Sequence, residues 1–269
     1  MPAVVRGGGE LASAVARLLF LSGFPVVILE RAQPLAVRRL VSFAEAVRLG
    51  ETTVEGVRAR LLSVDQLVVE RDFVPVLIDA EAVSLPRLQP DVLVDARMLK
   101  GGYGASREQA RLVIGIGPGF VAGGDVHAVV ETQRGPDLGR VLWSGSAEPD
   151  TLRPAAVLGV TEDRVVRAPR AGTFTAQAEI GDVVASQQIL GNVDEEPVRA
   201  RTAGLLRGLL ASGVQVTRGI KVGDVDPRGR SVSADRISDK ARAVAAGVLE
   251  AILVGVPGVN TKTSTTTLK

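Results

Sequence analysis

The segment from Val4 to Glu30 constrains the fold of this 269-residue chain more than any other part of its sequence. It reads as an apolar strand, a glycine-rich turn, a helix with an apolar stripe, and a second apolar strand that ends at Glu30. The turn fits the pattern G-x-G-x-x-A through Gly7, Gly9 and Ala12, and Glu30 follows Gly9 by 21 positions. This order and spacing predict a Rossmann-like βαβ unit.

The same turn indicates a ligand site. In the dinucleotide-binding fingerprint the first glycine permits a tight turn, the second lets the backbone approach a pyrophosphate, and a third small residue allows close packing. The acid that ends the second strand accepts a hydrogen bond from a ribose hydroxyl. We therefore predict cofactor binding by a set that consists of Gly7, Gly8, Gly9, Glu10, Ala12 and Glu30. The alternative, that the unit persists only as scaffold, stays open, because a fold does not imply a function.

Two adjacent arginines follow the second strand. Arg38 and Arg39 lie near the position that an adenosine ribose would take, so either guanidinium could hold a 2′-phosphate or another anion. A solvated approach to the next helix explains the pair equally well, and the sequence leaves both interpretations open.

Three further apolar runs, at 75–79, 91–95 and 112–116, predict strands. They are continuous rather than alternating, which is typical of a parallel sheet buried on both faces. Ligands of such sheets bind beyond the carboxyl ends of the strands. We therefore add Asp95 and the glycine-dense loop after the third run to the predicted binding residues, the loop through Gly117, Gly119 and Phe120.

Few residues are candidates for proton transfer. They are Asp95, Lys100, Tyr103, Asp125 and His127, and together they form no recognised catalytic set. His127 lies in an alternating segment, where a structural role is the simpler interpretation. We therefore assign no catalytic residue and leave open whether the chain is an enzyme.

Composition excludes several classes of protein. The chain has no cysteine and one histidine, so we predict no disulfide, no thiolate chemistry and no metal site. The net charge of +2, without a basic cluster interleaved with aromatics, predicts no nucleic-acid partner. No charge-free apolar run approaches 18 residues and no signal-peptide pattern opens the chain, so we expect a cytoplasmic protein without a membrane span.

The second half of the sequence contains a repeat. Residues 168–193 match residues 200–225 in the pattern Ala-x-x-Ala-Gly, a later Gly and Val, and a closing Gly-x-Val. The pattern resembles the biotinyl/lipoyl-type barrel-sandwich hybrid, although residues 194–197 lack the lysine of carrier domains. We therefore predict a Rossmann-like nucleotide-binding domain at 1–150, a β-barrel or sandwich domain with a terminal helix at 151–258, and a disordered tail at 259–269.

Several short blocks together resemble the selenium-dependent molybdenum hydroxylase accessory family of the YqeB type. The blocks are Arg6–Ala12, Arg38–Ala46, Gly117–Phe120, Glu131–Gly135, Gly139-Arg140, Asp226–Arg228 and Ile237–Ala241. The resemblance implies a cytoplasmic maturation factor for molybdenum hydroxylases that carry labile selenium, and it supplies no established catalytic residue. One departure is Pro136, where the family pattern is expected to have a histidine.

These observations lead to one expectation and two alternatives. We expect an accessory protein that binds NAD(P) or a molybdopterin (di)nucleotide at its glycine turn, since both ligands contain phosphate. Expected partners are a molybdenum hydroxylase, a small phosphate-bearing ligand and further copies of this chain. The alternatives are an NAD(P)-dependent oxidoreductase and a non-enzymatic scaffold with a vestigial Rossmann unit.

Overall fold

The computed structural model describes residues 1–67, 72–99, 104–151 and 153–256. Lys100, Tyr103 and the tail predicted to be disordered lie outside these ranges. The elements of the first half are β1 (Ala3–Arg6), α1 (Glu10–Leu21), β2 (Val26–Glu30), α2 (Glu45–Leu49), β3 (Glu51–Val54), β4 (Val57–Leu61), β5 (Val74–Ile78), α3 (Leu85–Leu88), β6 (Val92–Asp95), β7 (Leu112–Ile116), β8 (Ala128–Val130) and β9 (Val141–Leu142).

These nine strands form one sheet in the order β3-β4-β5-β2-β1-β6-β7-β8-β9. Neighbouring strands run parallel from β4 through to β8, whereas β3 and β9 pair antiparallel at the two edges. The central strands β1, β6 and β7 are buried along their whole length, which explains their apolar sequences. In the register of β1 and β6, Arg6 lies opposite Asp95. Their carboxyl ends therefore meet at one edge of the sheet, which we call the carboxyl edge.

The two faces of this sheet are covered differently. Val5 and Ile28 belong to a core that includes α1 and a C-terminal helix, α4 (Asp239–Gly255). Val4 and Leu29, which alternate with them, belong to a second core that contains Phe120 and is closed by loops and the four-residue α3. Residues of alternate parity along a strand point to opposite faces, so each strand contributes to both cores.

The second half folds into two antiparallel sheets of four strands each. Their orders are β10-β17-β15-β12 and β14-β13-β11-β16. The strands are β10 (Val165–Arg167), β11 (Gly172–Ala176), β12 (Val183–Val184), β13 (Ile189–Val193), β14 (Glu196–Arg199), β15 (Gly204–Leu209), β16 (Val214–Val216) and β17 (Lys221–Asp226). The sequence repeat is visible here, because Gly172 and Gly204 begin matching strands with the same φ of +153°. Apolar side chains of both sheets form a separate core.

After these sheets the chain returns to the first half through α4, which packs beside α1. Ser238 is its N-cap, and the Ser238 hydroxyl accepts a hydrogen bond from the amide of Ala241 at 3.2 Å. The apolar face of α4 is buried in the first core through residues that include Val244, Val248 and Ile252. None of the helices in the described ranges combines the length and apolarity needed to cross a bilayer.

The predicted fold class, a Rossmann-like domain joined to a barrel-sandwich hybrid with a terminal helix, is wrong. A doubly wound domain alternates strands with helices that cover both faces of its sheet. Here the sheet is mixed, one face is closed by loops, and the described residues contain only four α-helices among seventeen strands. The terminal helix also completes the core of the large sheet rather than that of the small ones. One local strand–helix–strand pattern was too little information from which to predict the whole architecture.

Candidate functional site

The glycine turn lies at the carboxyl edge, between β1 and α1. Gly7 has a φ of +96°, which favours glycine, and the Gly7 amide donates to the carbonyl oxygen of Leu29 at 2.7 Å. The Gly8 carbonyl oxygen accepts hydrogen bonds from the amide of Ala44 and the hydroxyl of Ser13, both at 2.9 Å. A side chain at Gly8 would place its Cβ 2.9 Å from the nitrogen of Ala44. The turn is thus held on one side by the segment that precedes α2.

Gly9 is the open position of the turn. It is the N-cap of α1, and no side chain caps the helix there. No atom of a residue beyond its chain neighbours lies within 4 Å of the position that a Cβ would take. The first amides of a helix have no partner inside the helix, and the helix dipole favours negative charge at this end. The arrangement provides space and polarity for an anion directly in front of α1.

Glu30 lies beside the turn, as the sequence predicted. Its two carboxylate oxygens accept hydrogen bonds from the amides of Gly8 and Arg31, each at 2.7 Å. Burial raises the pKa of Glu30 above its ordinary value, and these two backbone hydrogen bonds oppose that effect. Each oxygen retains a second lone pair, so Glu30 can accept another hydrogen bond from a ligand hydroxyl.

The other residues of the predicted turn contribute to packing. Ala12 is buried against the sheet in the first core. Glu10 begins α1, and its carboxylate accepts hydrogen bonds from the amide of Ser238 at 2.9 Å and from Arg38 at 3.5 Å. Glu10 therefore connects the N-terminus of α1 to the N-terminus of α4.

Arg38 and Arg39 connect the two halves of the molecule. Arg38 is buried and donates to the carbonyl oxygens of Ala234 at 3.4 Å and Arg236 at 3.0 Å. Arg39 donates to the carbonyl oxygen of Leu209 on β15 at 2.7 Å and to Glu45 at 3.2 Å. These contacts give both arginines a structural role that the sequence did not reveal, and anion binding by either remains a prediction.

Asp95 lies on the floor of the carboxyl edge between two arginines. It is almost fully buried, forms a 2.6 Å ion pair with Arg97, and lies 3.8 Å from Arg6. Arg6 is 4% exposed, and its Nε has no hydrogen-bond partner within the described part of the chain. Burial, followed by the charge of Arg97, lowers the pKa of Arg6. Asp95 is thus already neutralised by arginine and is poorly placed to serve as a free acid or base.

The predicted loop after β7 divides between the edge and the core. Gly117 lies at the edge, where a Cβ would come within 2.8 Å of the Thr132 hydroxyl and 3.3 Å of Met98. Gly119 also has a positive φ, of +103°. Phe120 is buried and packs on Gly115, so its ring belongs to the second core rather than to an open surface.

The remaining candidates for proton transfer lie elsewhere. His127 precedes β8, and its Nδ1 accepts a hydrogen bond from the amide of Val113 at 2.9 Å. Burial lowers the pKa of His127. Asp125 accepts a 2.6 Å hydrogen bond from the amide of Val121 within a turn. Both residues precede β8 and so lie at its amino end. Because β8 runs parallel to β7, this end is at the edge of the sheet opposite the carboxyl edge.

Lys240, at the start of α4, was not among the residues predicted from the sequence. It is partly buried, and burial, followed by the charge of Arg134, lowers its pKa while Glu131, Asp150 and Glu10 oppose the change. Nearby, Arg134 forms two hydrogen bonds with Asp239, at 2.6 and 2.8 Å. A lysine in the first turn of a predicted helix was a signal that could have identified it, because that position is unfavourable for a cation.

A separate cleft of about 460 Å³ lies near the ends of β4 and β5. It is lined by Leu61, Leu62, Ser63, Val64, Gln66, Leu77 and Ile78. None of the predicted binding residues contributes to this lining, so the cleft is distinct from the glycine turn.

Comparison with known proteins identifies one informative relative. No model of a known protein family matches the chain. Over 254 residues the chain is 43% identical to an uncharacterized Escherichia coli (strain K12) protein, YqeB, and the match covers 93% of this chain. The chain is a homologue of YqeB. It covers 47% of the relative, and so spans about half the length of YqeB.

Similar solved structures add little. The ectoine utilization protein EutE (DoeB) of Ruegeria pomeroyi is 13% identical, with 83% of this chain and 84% of that chain covered and a TM-score of 0.27. An aspartoacylase family protein of Mesorhizobium loti is 10% identical, with the same coverage and a TM-score of 0.25. A succinylglutamatedesuccinylase/aspartoacylase of Rhodobacter sphaeroides is 31% identical over 23% of this chain and 21% of that chain, with a TM-score of 0.21. Scores this low support no argument about fold or function.

Proposed function

We propose that the chain binds the phosphate of a nucleotide or of a molybdopterin-type cofactor at its glycine turn. The observation that supports the proposal is the open position of Gly9 at the N-terminus of α1. Phosphates bind at helix N-termini because backbone amides and the helix dipole both stabilise negative charge there. Glu30, beside the turn, is in place to accept a hydrogen bond from a ribose hydroxyl or from an N–H group of a pterin.

We further propose that this binding serves the maturation of selenium-dependent molybdenum hydroxylases. Four of the blocks on which that resemblance rests are far apart in the sequence, yet they contact one another in the fold. Gly8 bonds to Ala44, Glu10 bonds to Ser238, and Arg134 pairs with Asp239. The contacts of Gly8 and Glu10 with two of these blocks support a shared binding site at the turn. The homology to YqeB supports only the YqeB part of the resemblance.

The two alternative functions receive less support. An NAD(P)-dependent oxidoreductase needs a proton donor beside the reacting carbon. Among the described candidates, His127 and Asp125 lie at the opposite edge, and Asp95 is paired with Arg97. A scaffold that binds no ligand does not account for the open space in front of Gly9.

The proposal is tested by a ligand panel on two matched variants. Thermal denaturation and calorimetry would be run with AMP, NAD⁺, NADP⁺ and a molybdopterin dinucleotide. A ligand that binds only the folded protein stabilises it by about 2.7 kcal/mol at one hundred times its Kd. Gly9→Asp places a carboxylate where the phosphate would bind, and we expect about tenfold weaker binding or worse, which corresponds to about 1.4 kcal/mol.

Gly9→Asn is the matched control, because asparagine caps a helix as well as aspartate does but adds no charge. We expect both variants to fold with a stability close to that of the wild type, and only the aspartate to weaken binding about tenfold or more. The proposal is wrong if no ligand raises the melting temperature of the wild type, or if both variants bind it equally well.

A further inference from the structure

The cleft at the ends of β4 and β5 lies next to Glu30. In the pairing of β2 with β5, Glu30 is the register partner of Ile78, and Ile78 lines the cleft. Neighbouring strands of a sheet lie about 5 Å apart. The Glu30 carboxylate in turn accepts the hydrogen bond from the amide of Gly8 at 2.7 Å. The cleft and the turn share no residue, but Glu30, on the strand between them, connects the two.

Glu30 and Ile78 project from the same face of the sheet. Ile28 and Val76, two residues earlier in the same strands, are register partners and belong to the first core, which includes α1. Side chains two positions apart in a strand share a face, so Glu30 and Ile78 both lie on the α1 side. Leu61 is the register partner of Val76 on β4 and has the same orientation. An apolar surface therefore begins directly beside the carboxylate.

The lining of the cleft suits a neutral ring. Its volume of about 460 Å³ lies within the range of small-molecule sites, and none of its described lining residues is ionisable. Ile78 is apolar and yet 51% exposed. A lining without charge cannot compensate a phosphate, whereas it gains free energy when it covers the apolar faces of a heterocycle.

Two polar side chains of the lining, Ser63 and Gln66, provide a hydrogen-bonding group. The Oε1 of Gln66 accepts from the amide and from the hydroxyl of Ser63, both at 3.1 Å. These two bonds use both lone pairs of the amide oxygen. The Nε2 of Gln66 donates to no residue in the described ranges, so Gln66 offers a ligand a donor. Ring nitrogens and carbonyl oxygens of nucleic-acid bases are acceptors for such a donor.

We propose that the cleft binds the heterocyclic base of a nucleotide whose phosphate is held at Gly9 and whose ribose is held at Glu30. The inference rests on the proposed function and deepens it, because it selects nucleotides from among phosphate-bearing ligands. The strands β1, β2 and β5 are consecutive in the sheet, so the turn, the carboxylate and the cleft follow one another over about 10 Å. Phosphate, ribose and base follow one another in the same order in a nucleoside monophosphate.

Two ligands that differ only in the base test the inference. The affinities of AMP and ribose 5-phosphate for the full chain are compared by calorimetry. For the wild type we expect AMP to bind about tenfold more tightly or better, because only AMP buries a base. Ile78→Ser should lower this ratio several-fold and leave the affinity for ribose 5-phosphate unchanged. Ile189→Ser is the matched control, since Ile189 is 38% exposed and lies on β13 of the small sheets.

Gln66→Glu tests the hydrogen bond. The substitution replaces the Nε2 donor with an acceptor oxygen and keeps an oxygen that can accept from Ser63. We expect the ratio of the two affinities to fall about fivefold. The new charge also acts on the phosphate, and the change in affinity for ribose 5-phosphate measures that effect separately.

A fluorescent base supplies a second readout that a merely structural role would not change. The nucleotide of 2-aminopurine is titrated with acrylamide, a collisional quencher, in the presence of saturating protein. We expect the bound base to be protected from the quencher in the wild type and in Ile189→Ser. Protection should be clearly weaker in Ile78→Ser, because the wall of the cleft is incomplete.

The outcomes separate the two proposals. If no phosphate-bearing ligand binds the wild type, the proposed function fails, and this inference fails with it. If ligands bind and Gly9→Asp weakens their binding, but the base adds no affinity, or Ile78→Ser and Gln66→Glu keep the full ratio, only this inference is overturned.

Discussion

The amide of Gly8 donates a 2.7 Å hydrogen bond to the carboxylate of Glu30, which joins the glycine turn to the end of β2. The bond has two consequences. It fixes the shape of the turn, because the partly buried carboxylate accepts a hydrogen bond from an amide that would otherwise face the ligand. It also links the charge of Glu30 to the geometry of the turn, because protonation of the carboxylate weakens a hydrogen bond to its oxygen.

Glu30→Gln should therefore change how stability depends on pH. The pKa of Glu30 is raised by burial in the folded state, so the folded protein holds this proton more tightly than the unfolded chain. The resulting stabilisation is complete below the ordinary pKa, near 4.5, and is lost as the pH rises through the higher folded value. Urea denaturation of the wild type and the variant between pH 4 and 8 checks this.

In that series we expect the difference in unfolding free energy to shift in favour of the variant as the pH rises, and then to level off. A difference that stays constant across the range would contradict a raised pKa at Glu30. Glu51→Gln, at an exposed ion pair with Arg60, serves as the control for the loss of a carboxylate at the surface.

Gly8→Ala and Gly9→Ser should differ in stability although the two positions are adjacent. At Gly8 the new Cβ would come within 2.9 Å of the nitrogen of Ala44, so the backbone must move. We expect a loss of about 1–3 kcal/mol, as for overpacking in a core. At Gly9 the space is open and serine is a better N-cap than glycine, so we expect a change of a few tenths of a kcal/mol at most. Equal unfolding free energies for both variants would mean that the turn is not packed against Ala44.

Part of this arrangement could be predicted from the sequence. Continuous apolar runs predicted parallel strands, and that rule placed Gly7, Glu30 and Asp95 at one edge. The prediction needed only local patterns, because each of these residues directly ends or follows a strand. Their role in binding remains a prediction.

The rest depends on contacts between residues far apart in the chain. The terminal helix was assigned to the β-barrel domain, because an apolar stripe on a helix does not reveal which sheet it covers. The return of α4 to the large sheet was therefore missed. Arg38 was considered as an anion-binding or a solvated arginine, because nothing near it in the sequence shows that it bonds to the carbonyl oxygen of Arg236.

Asp226→Asn should destabilise the small sheets. The carboxylate of Asp226 is fully buried on β17 and pairs with Arg207 and Arg228, both at 2.8 Å. Removing one partner of a buried pair leaves uncompensated charge and costs about 3–5 kcal/mol. Burial alone would raise the pKa of Asp226, but the hydrogen bonds from Arg228 and Arg207 outweigh it and hold that pKa well below its usual range.

The sign of the pH effect follows from that lowered pKa. The contribution of Asp226 to stability is present above its ordinary pKa, near 3.8, and is lost as the pH falls below that value. The wild type should lose its advantage over the variant on acidification. Denaturation curves at pH 7 and pH 3 measure this, and an advantage that is the same at both pH values would contradict it. Asp163→Asn, at an exposed pair with Arg201, is the matched surface control.

Lys240→Gln should make the protein more stable in the absence of ligand. The substitution removes a partly buried cation from the first turn of α4 and from the neighbourhood of Arg134, while glutamine preserves most of the side-chain packing. We expect a gain of about 0.3–1 kcal/mol in the unfolding free energy at neutral pH.

The gain should also depend on pH. Because burial lowers the pKa of Lys240, its deprotonation relieves the same penalty, and the gain should shrink as the pH rises through that lowered value. Urea denaturation at pH 7 and pH 10 tests both statements, with Lys221→Gln as the control for loss of a lysine that has an ion-pair partner. A variant that is less stable than the wild type at pH 7 would contradict the expected gain and would show that Lys240 contributes to the stability of the fold.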